Sequence, residues 1–476
     1  MVAARTGWLP VNVCLYPVVG CWLLPVFPIP VSENSLHQAL AAHFGPVLLE
    51  DLTVTRREFP HWMRPDLQHA LEAQFASAPH RFFGVRSRDH DVSLRFADLL
   101  ESGDKAPAAG AAEYQDADLG QGASVRCLVR GLWLSQLEGK PFALLLEVAE
   151  GYRAPRVRIE IAAVPGDAAA KCVARLAEQL RMSAELGNCW RGKSLVLDRA
   201  HDDFEISPAG LRVAEVSPVE RQEIVLADET FALIERNTLG FAAQSERLAE
   251  FGLSAKKGLL LYGPPGTGKT LIVRWLLSAL EGFTKLLVTS EHYGLLADCL
   301  AIARVLQPAL VILEDIDLVG AHRDGPWAAR DGALNVLLNE MDGFAPHARV
   351  LFVLTTNRPE VLEPALALRP GRVDQVIEIG LPAERERRLL ARRYAGTLRV
   401  DDALVDEAAR RVGRASPAFI KELMRRAAQA MLERGAQGEI DKSDLEQALQ
   451  DMLGASGRLG ARILGAEGGF GFSAPS

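Results

Sequence analysis

The run Gly263-Pro264-Pro265-Gly266-Thr267-Gly268-Lys269-Thr270 constrains this chain more than any other segment. It satisfies G-x-x-x-x-G-K-[ST], and the pattern around it predicts a strand at Gly258–Tyr262 and a helix at Leu271–Leu280. Glycines at these spacings let backbone N–H groups turn inward around phosphates, and the following helix N-terminus favours negative charge. Lys269 is placed to reach the β- and γ-phosphates of a nucleotide, and the Thr270 hydroxyl to ligate Mg²⁺. A loop of this kind belongs to an α/β fold with a parallel sheet.

Three downstream segments fit the same site. Leu310-Val311-Ile312-Leu313 reads as a buried strand, and Glu314-Asp315-Ile316-Asp317 emerges at its C-terminal end, where ligands bind in open α/β sheets. Acids there can join a Mg²⁺ shell and polarise an attacking water, which makes Glu314 and Asp315 the candidate acids and Glu314 with Thr270 the metal candidates. A third strand, Val350–Thr355, leads to Asn357, whose amide can hold that water. Arg369 and Arg372 flank a Pro-Gly turn in Leu368-Arg369-Pro370-Gly371-Arg372-Val373-Asp374. A planar guanidinium stabilises developing charge on a γ-phosphate, and one supplied by a neighbouring subunit makes hydrolysis depend on assembly.

The 476 residues exceed one compact core, so several domains are expected. Residues 1–31 are apolar but interrupted by Pro10, Pro17, Pro25, Pro28 and Pro30, which break a spanning helix. The reading favoured over a membrane anchor is a disordered segment, or a true start near Val31. Residues 32–216 predict an α+β accessory region. Its helices are expected at Ser35–Phe44, Arg64–Phe75 and Ala168–Ala184, its strands at Val125–Leu134 and Phe142–Val148, and a loop at Ala106–Ala112. Residues 217–382 hold the nucleotide-binding pattern, opened by one helix from Glu229 to Phe251. Residues 383–453 read as a helical lid, with Ser416 capping a helix that starts with Pro417. The glycine-rich tail, 454–476, is expected to be disordered.

Net charge is −8 with no domain-wide basic stripe, so no nucleic-acid partner is expected. Six scattered cysteines without a C-x-x-C pair suit buried thiols in a reducing cytosol.

Taken in order, these segments resemble the classical clade of AAA ATPases over roughly Glu220–Leu453, and Asn339-Glu340-Met341-Asp342-Gly343-Phe344 is similar to the N-x-M-D-G segment of that clade. The resemblance implies a P-loop NTPase fold with a helical lid, a first-sensor role for Asn357, and arginine-finger roles for Arg369 and Arg372. It further implies a homo-hexamer that binds ATP and Mg²⁺ and remodels proteins. Gly413–Ala418 stands where the clade has a short G-x-S-G motif.

Two departures qualify that. The clade ends its acidic strand Asp-Glu, whereas this chain has Glu314-Asp315, displacing one carboxylate by about 1.3 Å. Either hydrolysis slows or the backbone shifts to compensate. AAA proteins similar to the mitochondrial Rieske-protein translocase share this order. Protein-threading members also carry an aromatic–apolar–Gly loop in a longer segment than Ser290–Pro308, and the only aromatic–glycine pair here, Tyr293-Gly294, reads as a turn after a strand. No H-E-x-x-H is present. The expectation is a cytoplasmic, ATP-hydrolysing remodeller of an unidentified protein substrate. Its alternatives are a nucleotide-gated scaffold with little hydrolysis and a membrane-anchored translocase.

Overall fold

A computed structural model describes residues 36–76, 78–86, 93–101, 106–149, 155–199, 208–318, 337, 339–360 and 373–453. The sequence readings on residues 1–31, on Arg369 and Arg372, and on the tail lie outside them.

The first layer is an antiparallel sheet ordered β1-β7-β6-β5-β2-β3, with β4 also on β5. Its strands are β1 (Thr53–Pro60), β2 (His80–Arg86), β3 (Ala108–Gly110), β4 (Glu113–Asp118), β5 (Ser124–Leu137), β6 (Lys140–Ala149) and β7 (Arg156–Ala163). Both faces are covered. Leu144 and Leu146 of β6 pack beneath α2 (Arg64–Ala76) and α3 (Asp167–Glu185), while Ala143 and Leu145 meet α1 (Leu36–Phe44). Double coverage explains why β6 reads as a continuous apolar run instead of an alternating one. Within that packing Glu147, Arg158 and Glu160 are buried together. Glu147 accepts from the Leu94 N–H (2.6 Å) and from Arg130 (3.0 Å) and pairs with Arg158, and Glu160 accepts from the Phe96 N–H. These ions pin the segment around Leu94 and Phe96 against the sheet.

The second sheet runs β14-β10-β13-β12-β11-β8-β9. Strands β10 (Lys256–Tyr262), β11 (Thr284–Val288), β12 (Ala309–Leu313), β13 (Val350–Thr356) and β14 (Gln375–Glu378) are parallel, as the sequence pattern predicts. One face packs against α6 (Lys269–Ala279) and the preceding α4 (Asp228–Glu235) and α5 (Phe241–Glu250); the other packs against α7 (Leu296–Val305). Beyond it, α8 (Glu384–Tyr394), α9 (Asp402–Arg411), α10 (Pro417–Glu433) and α11 (Lys442–Leu453) form a helical lid with its own core.

Four details differ from the sequence reading. The helix expected at Glu229–Phe251 runs on from α4 to α5, but with a π-helical bulge at Arg236–Gly240. The small-residue loop contains β3, which pairs with β2. The lid also holds a two-residue strand pair, Arg399–Val400 with Glu439–Ile440. Most consequentially, β8 (Ser194–Arg199) and β9 (Pro208–Val213), inside the stretch read as accessory, extend the nucleotide-binding sheet: β8 pairs parallel to β11 and β9 closes a hairpin on it. The short apolar run Leu195-Val196-Leu197 marks a buried strand, but it cannot say which sheet the strand joins.

The junction between the two sheets is bonded through α3 and the residues after it. Trp190 Nε1 donates to the Trp62 carbonyl (2.7 Å). The Arg191 guanidinium donates to the carbonyls of Glu185 (2.8 Å), Gly187 (3.1 Å), Val305 (2.8 Å) and Gln307, so one planar fork satisfies the C-terminal ends of both α3 and α7. Arg191→Ala is expected to lower unfolding stability by about 2–3 kcal/mol, because carbonyls lose charged donors. Lysine, a single point charge, is expected to restore only part of it. Urea unfolding of the three proteins checks this.

Candidate functional site

The parallel register aligns the ends of three strands. Tyr262 of β10 sits opposite Thr356 of β13, and Leu313 of β12 opposite Leu354. Hence Gly263, Glu314-Asp315 and Asn357 all leave the sheet along one edge, although they lie far apart in sequence.

The loop Gly263–Thr270 wraps around that edge. Gly263 has φ +151°, and a Cβ there would stand 2.2 Å from the Ile379 carbonyl oxygen. Only glycine fits. Ile379 is fixed by its own N–H donating to the Tyr262 carbonyl at 2.7 Å, so the strand after the arginine segment braces the loop's first residue. Gly266, at φ +77°, faces the lid: an added Cβ would lie 2.9 Å from Ala418 Cβ, and the Ala418 N–H donates to the Gly266 carbonyl (3.2 Å). Ser416 caps α10 at this contact, its Oγ accepting from the Phe419 N–H at 3.2 Å. Pro264 and Pro265 stiffen the turn between these contacts, and Thr267 closes it by donating to the Pro264 carbonyl (2.9 Å). Gly268, the N-cap of α6, is left-handed. Lys269 is buried and donates from Nζ to the carbonyls of Gly263 (2.7 Å) and Pro264 (2.9 Å). Burial holds its pKa below the ordinary lysine range, against the pull of Asp315 and Asp317.

The acids are pinned from several sides. The Glu314 N–H donates to the Val288 carbonyl (3.1 Å), and the Glu314 carbonyl accepts from the Tyr293 hydroxyl (2.6 Å). Asp315 has φ +51°, a conformation uncommon outside glycine. Its N–H donates to Thr355 Oγ1 (3.0 Å), its carbonyl accepts from the Leu318 N–H (2.9 Å), and its Oδ1 accepts from Asn357 Nδ2 (3.1 Å). Asp317 Oδ1 accepts from Thr356 Oγ1 (2.8 Å) and from the Asn357 N–H (3.2 Å). Burial raises the pKa of Glu314, partly offset by a hydrogen bond with Thr270. Burial also raises that of Asp315, with Asp317 adding to the effect and Lys269 and Asn357 opposing it.

Glu314 Oε1 is buried without a hydrogen-bond partner, and the other metal candidate, Thr270, bonds to the same carboxylate. An unpaired hard oxygen beside a hydroxyl fits Mg²⁺, which is held by one or two protein oxygens and completes its shell with waters and phosphates. Such an ion would neutralise phosphate charge. Among the described residues, no group of three or more His, Cys, Asp or Glu side chains is placed to hold a metal alone.

Alongside the loop, a cavity of about 650 Å³ opens between the nucleotide sheet and the lid. Val225, Leu226, Leu381, Pro382 and Pro417 supply its apolar wall, and Pro264 and Thr267 connect it to the phosphate loop. Its volume suits a nucleoside.

The structure thus brings together the loop, Glu314, Asp315 and Asn357. Sequence reasoning assigned no role to Asp317 and Thr355, although both stand inside the motifs quoted above; the E-D-I-D run and the double threonine were the available signals. The cavity residues carried none. Tyr293 stands in the turn after β11, as read from the sequence; burial raises its pKa, and its hydroxyl anchors the acid strand. The N-x-M-D-G-like segment serves packing, with Met341 and Phe344 buried and Glu340 paired with Arg304 at 2.7 Å.

Comparison with known proteins agrees with this geometry. The family described as "ATPase family associated with various cellular activities (AAA)" matches residues 259–381, so those residues form an AAA domain. The chain is 34% identical over 264 residues to "ATP-dependent zinc metalloprotease FtsH 3" of Sphaerobacter thermophilus, covering 52% of this chain and 53% of that protein. It is 43% identical over 151 residues to "26S proteasome regulatory subunit 10B" of Dictyostelium discoideum (29% and 38% covered). A third relative, "ATPase family protein 2 homolog" of Caenorhabditis elegans, is 35% identical over 223 residues (44% and 30% covered). The chain therefore spans about half or less of the length of these relatives.

Tyr293→Phe is expected to cost about 1 kcal/mol of stability, since one buried hydrogen bond is lost with little change of shape. A thermal melt against wild type measures it.

Proposed function

We infer that this chain, which carries an AAA ATPase domain, hydrolyses ATP and couples hydrolysis to remodelling of a protein or complex. The observation that carries this reading is the Asp315 carboxylate, held by the Asn357 amide at the strand edge that also bears Gly263 and Glu314. A water between that pair and a γ-phosphate on the loop would be oriented for in-line attack. Asp315 then receives the water's proton, and Lys269 leaves its resting carbonyls to meet the β- and γ-phosphates. Glu314 and Thr270 would hold Mg²⁺, which would supply charge neutralisation. The transposed acids do not forbid this, because the left-handed backbone at Asp315 and its three hydrogen bonds set the shorter carboxylate's position.

Assembly as a homo-hexamer would let Arg369 and Arg372 reach a neighbour's γ-phosphate, as fingers supplied in trans. The relatives named for a protease and a proteasome subunit support a protein as the thing acted upon. Only the ATPase part of the first relative's name is carried over, since this sequence has no H-E-x-x-H. Among the described residues no helix is long and apolar enough to cross a membrane. We place the work of the chain in the cytoplasm, with the accessory region read from the sequence at residues 32–216 selecting the target.

Nucleotide binding and phosphate release, measured together, test the reading. Lys269→Ala is expected to lose ATP binding. Asp315→Asn is expected to keep binding while turnover falls by about 10²- to 10⁴-fold, and Arg372→Ala to spare binding and lose turnover. Equal near-zero turnover in wild type and Asp315→Asn would favour a scaffold that binds without hydrolysing.

A further inference from the structure

The lid contributes one buried acid that the hydrolytic machinery does not use. Glu386, in the first turn of α8, is 9% exposed and lines the cavity beside the phosphate loop, and its Oε2 is buried without a hydrogen-bond partner. Arginines surround it in sequence, yet each is engaged elsewhere. Arg385 pairs with Asp228 (3.4 Å) and Arg388 with Glu384 (2.5 Å). Arg387 lies close enough to feel the charge of Glu386, but its hydrogen bonds go to the carbonyls of Ala409 and Pro382, both at 2.8 Å. A carboxylate oxygen removed from water with no donor is costly, and such a group is retained where a donor arrives with a ligand.

The ligand's chemistry follows from charge. Phosphates would be repelled by this carboxylate, and the loop and Lys269 already place them. Glu386 must therefore meet the uncharged half of the nucleotide. In adenosine the neutral donors are the N6 amino group and the ribose hydroxyls; the apolar wall of Val225, Leu226, Leu381 and Pro382 accommodates the rest. Resting on the ATP-binding reading above, we propose that Glu386 is the nucleoside-reading residue of this site: its carboxylate accepts a hydrogen bond from a neutral donor of adenosine. Because Glu386 belongs to the lid and the loop to the sheet, this bond ties bound nucleoside to lid position.

Calorimetric titration of the full chain tests it. The ligands are ATP, purine riboside triphosphate (no N6 amino group), 2′-deoxy-ATP and 3′-deoxy-ATP; the proteins are wild type, Glu386→Leu and Glu386→Gln. Glu386→Leu is expected to weaken ATP about tenfold, the scale of one hydrogen bond to a charged group. The analogue lacking the engaged donor should bind wild type and Glu386→Leu equally, which assigns the donor to base or ribose and shows that the variant is folded. Glu386→Gln, whose carbonyl still accepts, should recover part of the loss. Unchanged ATP affinity in Glu386→Leu, or an equal loss for all four ligands, overturns the proposal. Wild type that binds none of them, or binds them as well after Lys269→Ala, overturns the ATP-binding reading instead.

Discussion

The site depends on the close approach of the loop's first glycine to the Ile379 carbonyl. That contact leaves no room for a side chain, and the bond from the Ile379 N–H to the Tyr262 carbonyl fixes it. Through it, the edge strand β14 and everything leading to the lid are held in register with the loop. A second close approach, Gly266 against Ala418, joins the same loop to the first turn of α10. A nucleotide in the cavity between them would touch sheet and lid at once, which is the geometry needed for lid position to report on occupancy.

The acid turn shows how a buried sheet can present charge. Strand β12 is buried throughout, so Glu314 and Asp315 emerge from an apolar wall and burial raises both pKa values. The cost is offset locally. Tyr293, Thr355, Asn357 and the Leu318 N–H hold the turn, while Asp317 ties down the Asn357 backbone. A turn secured from this many directions can carry its acids in the Glu-Asp order and keep Asp315 on the asparagine amide. Tyr293 takes part in this from the turn that follows β11.

The N-terminal layer is bonded to the parallel-sheet core and not merely tethered to it. Hairpin β8–β9 adds to the nucleotide sheet, Arg191 closes the ends of α3 and α7 together, and Trp190 reaches back to Trp62. Helix α7 follows the Tyr293 turn and precedes the acidic strand, and its C-terminal carbonyls are closed by Arg191 at the junction with the N-terminal layer.

By itself the sequence determined the chemistry-bearing segments and their order: the phosphate loop, the acids at a strand end, the asparagine, the parallel sheet and the capped lid helices. These are legible because local rules write them, with glycine where φ is positive, apolar runs where strands are buried and Ser-Pro where a helix starts. Tertiary structure alone decided the rest. Sheet membership of β8 and β9 is a matter of which edge is free, and a short apolar run does not encode it. The partners of Tyr293, Asp317 and Thr355 are set by strand register across distant segments. Glu386 Oε2 is left without a hydrogen-bond partner because the neighbouring arginines hydrogen-bond elsewhere, and the sequence shows only a charged helix. Local conformation depends on near neighbours, whereas partnership depends on what the whole fold leaves beside each group.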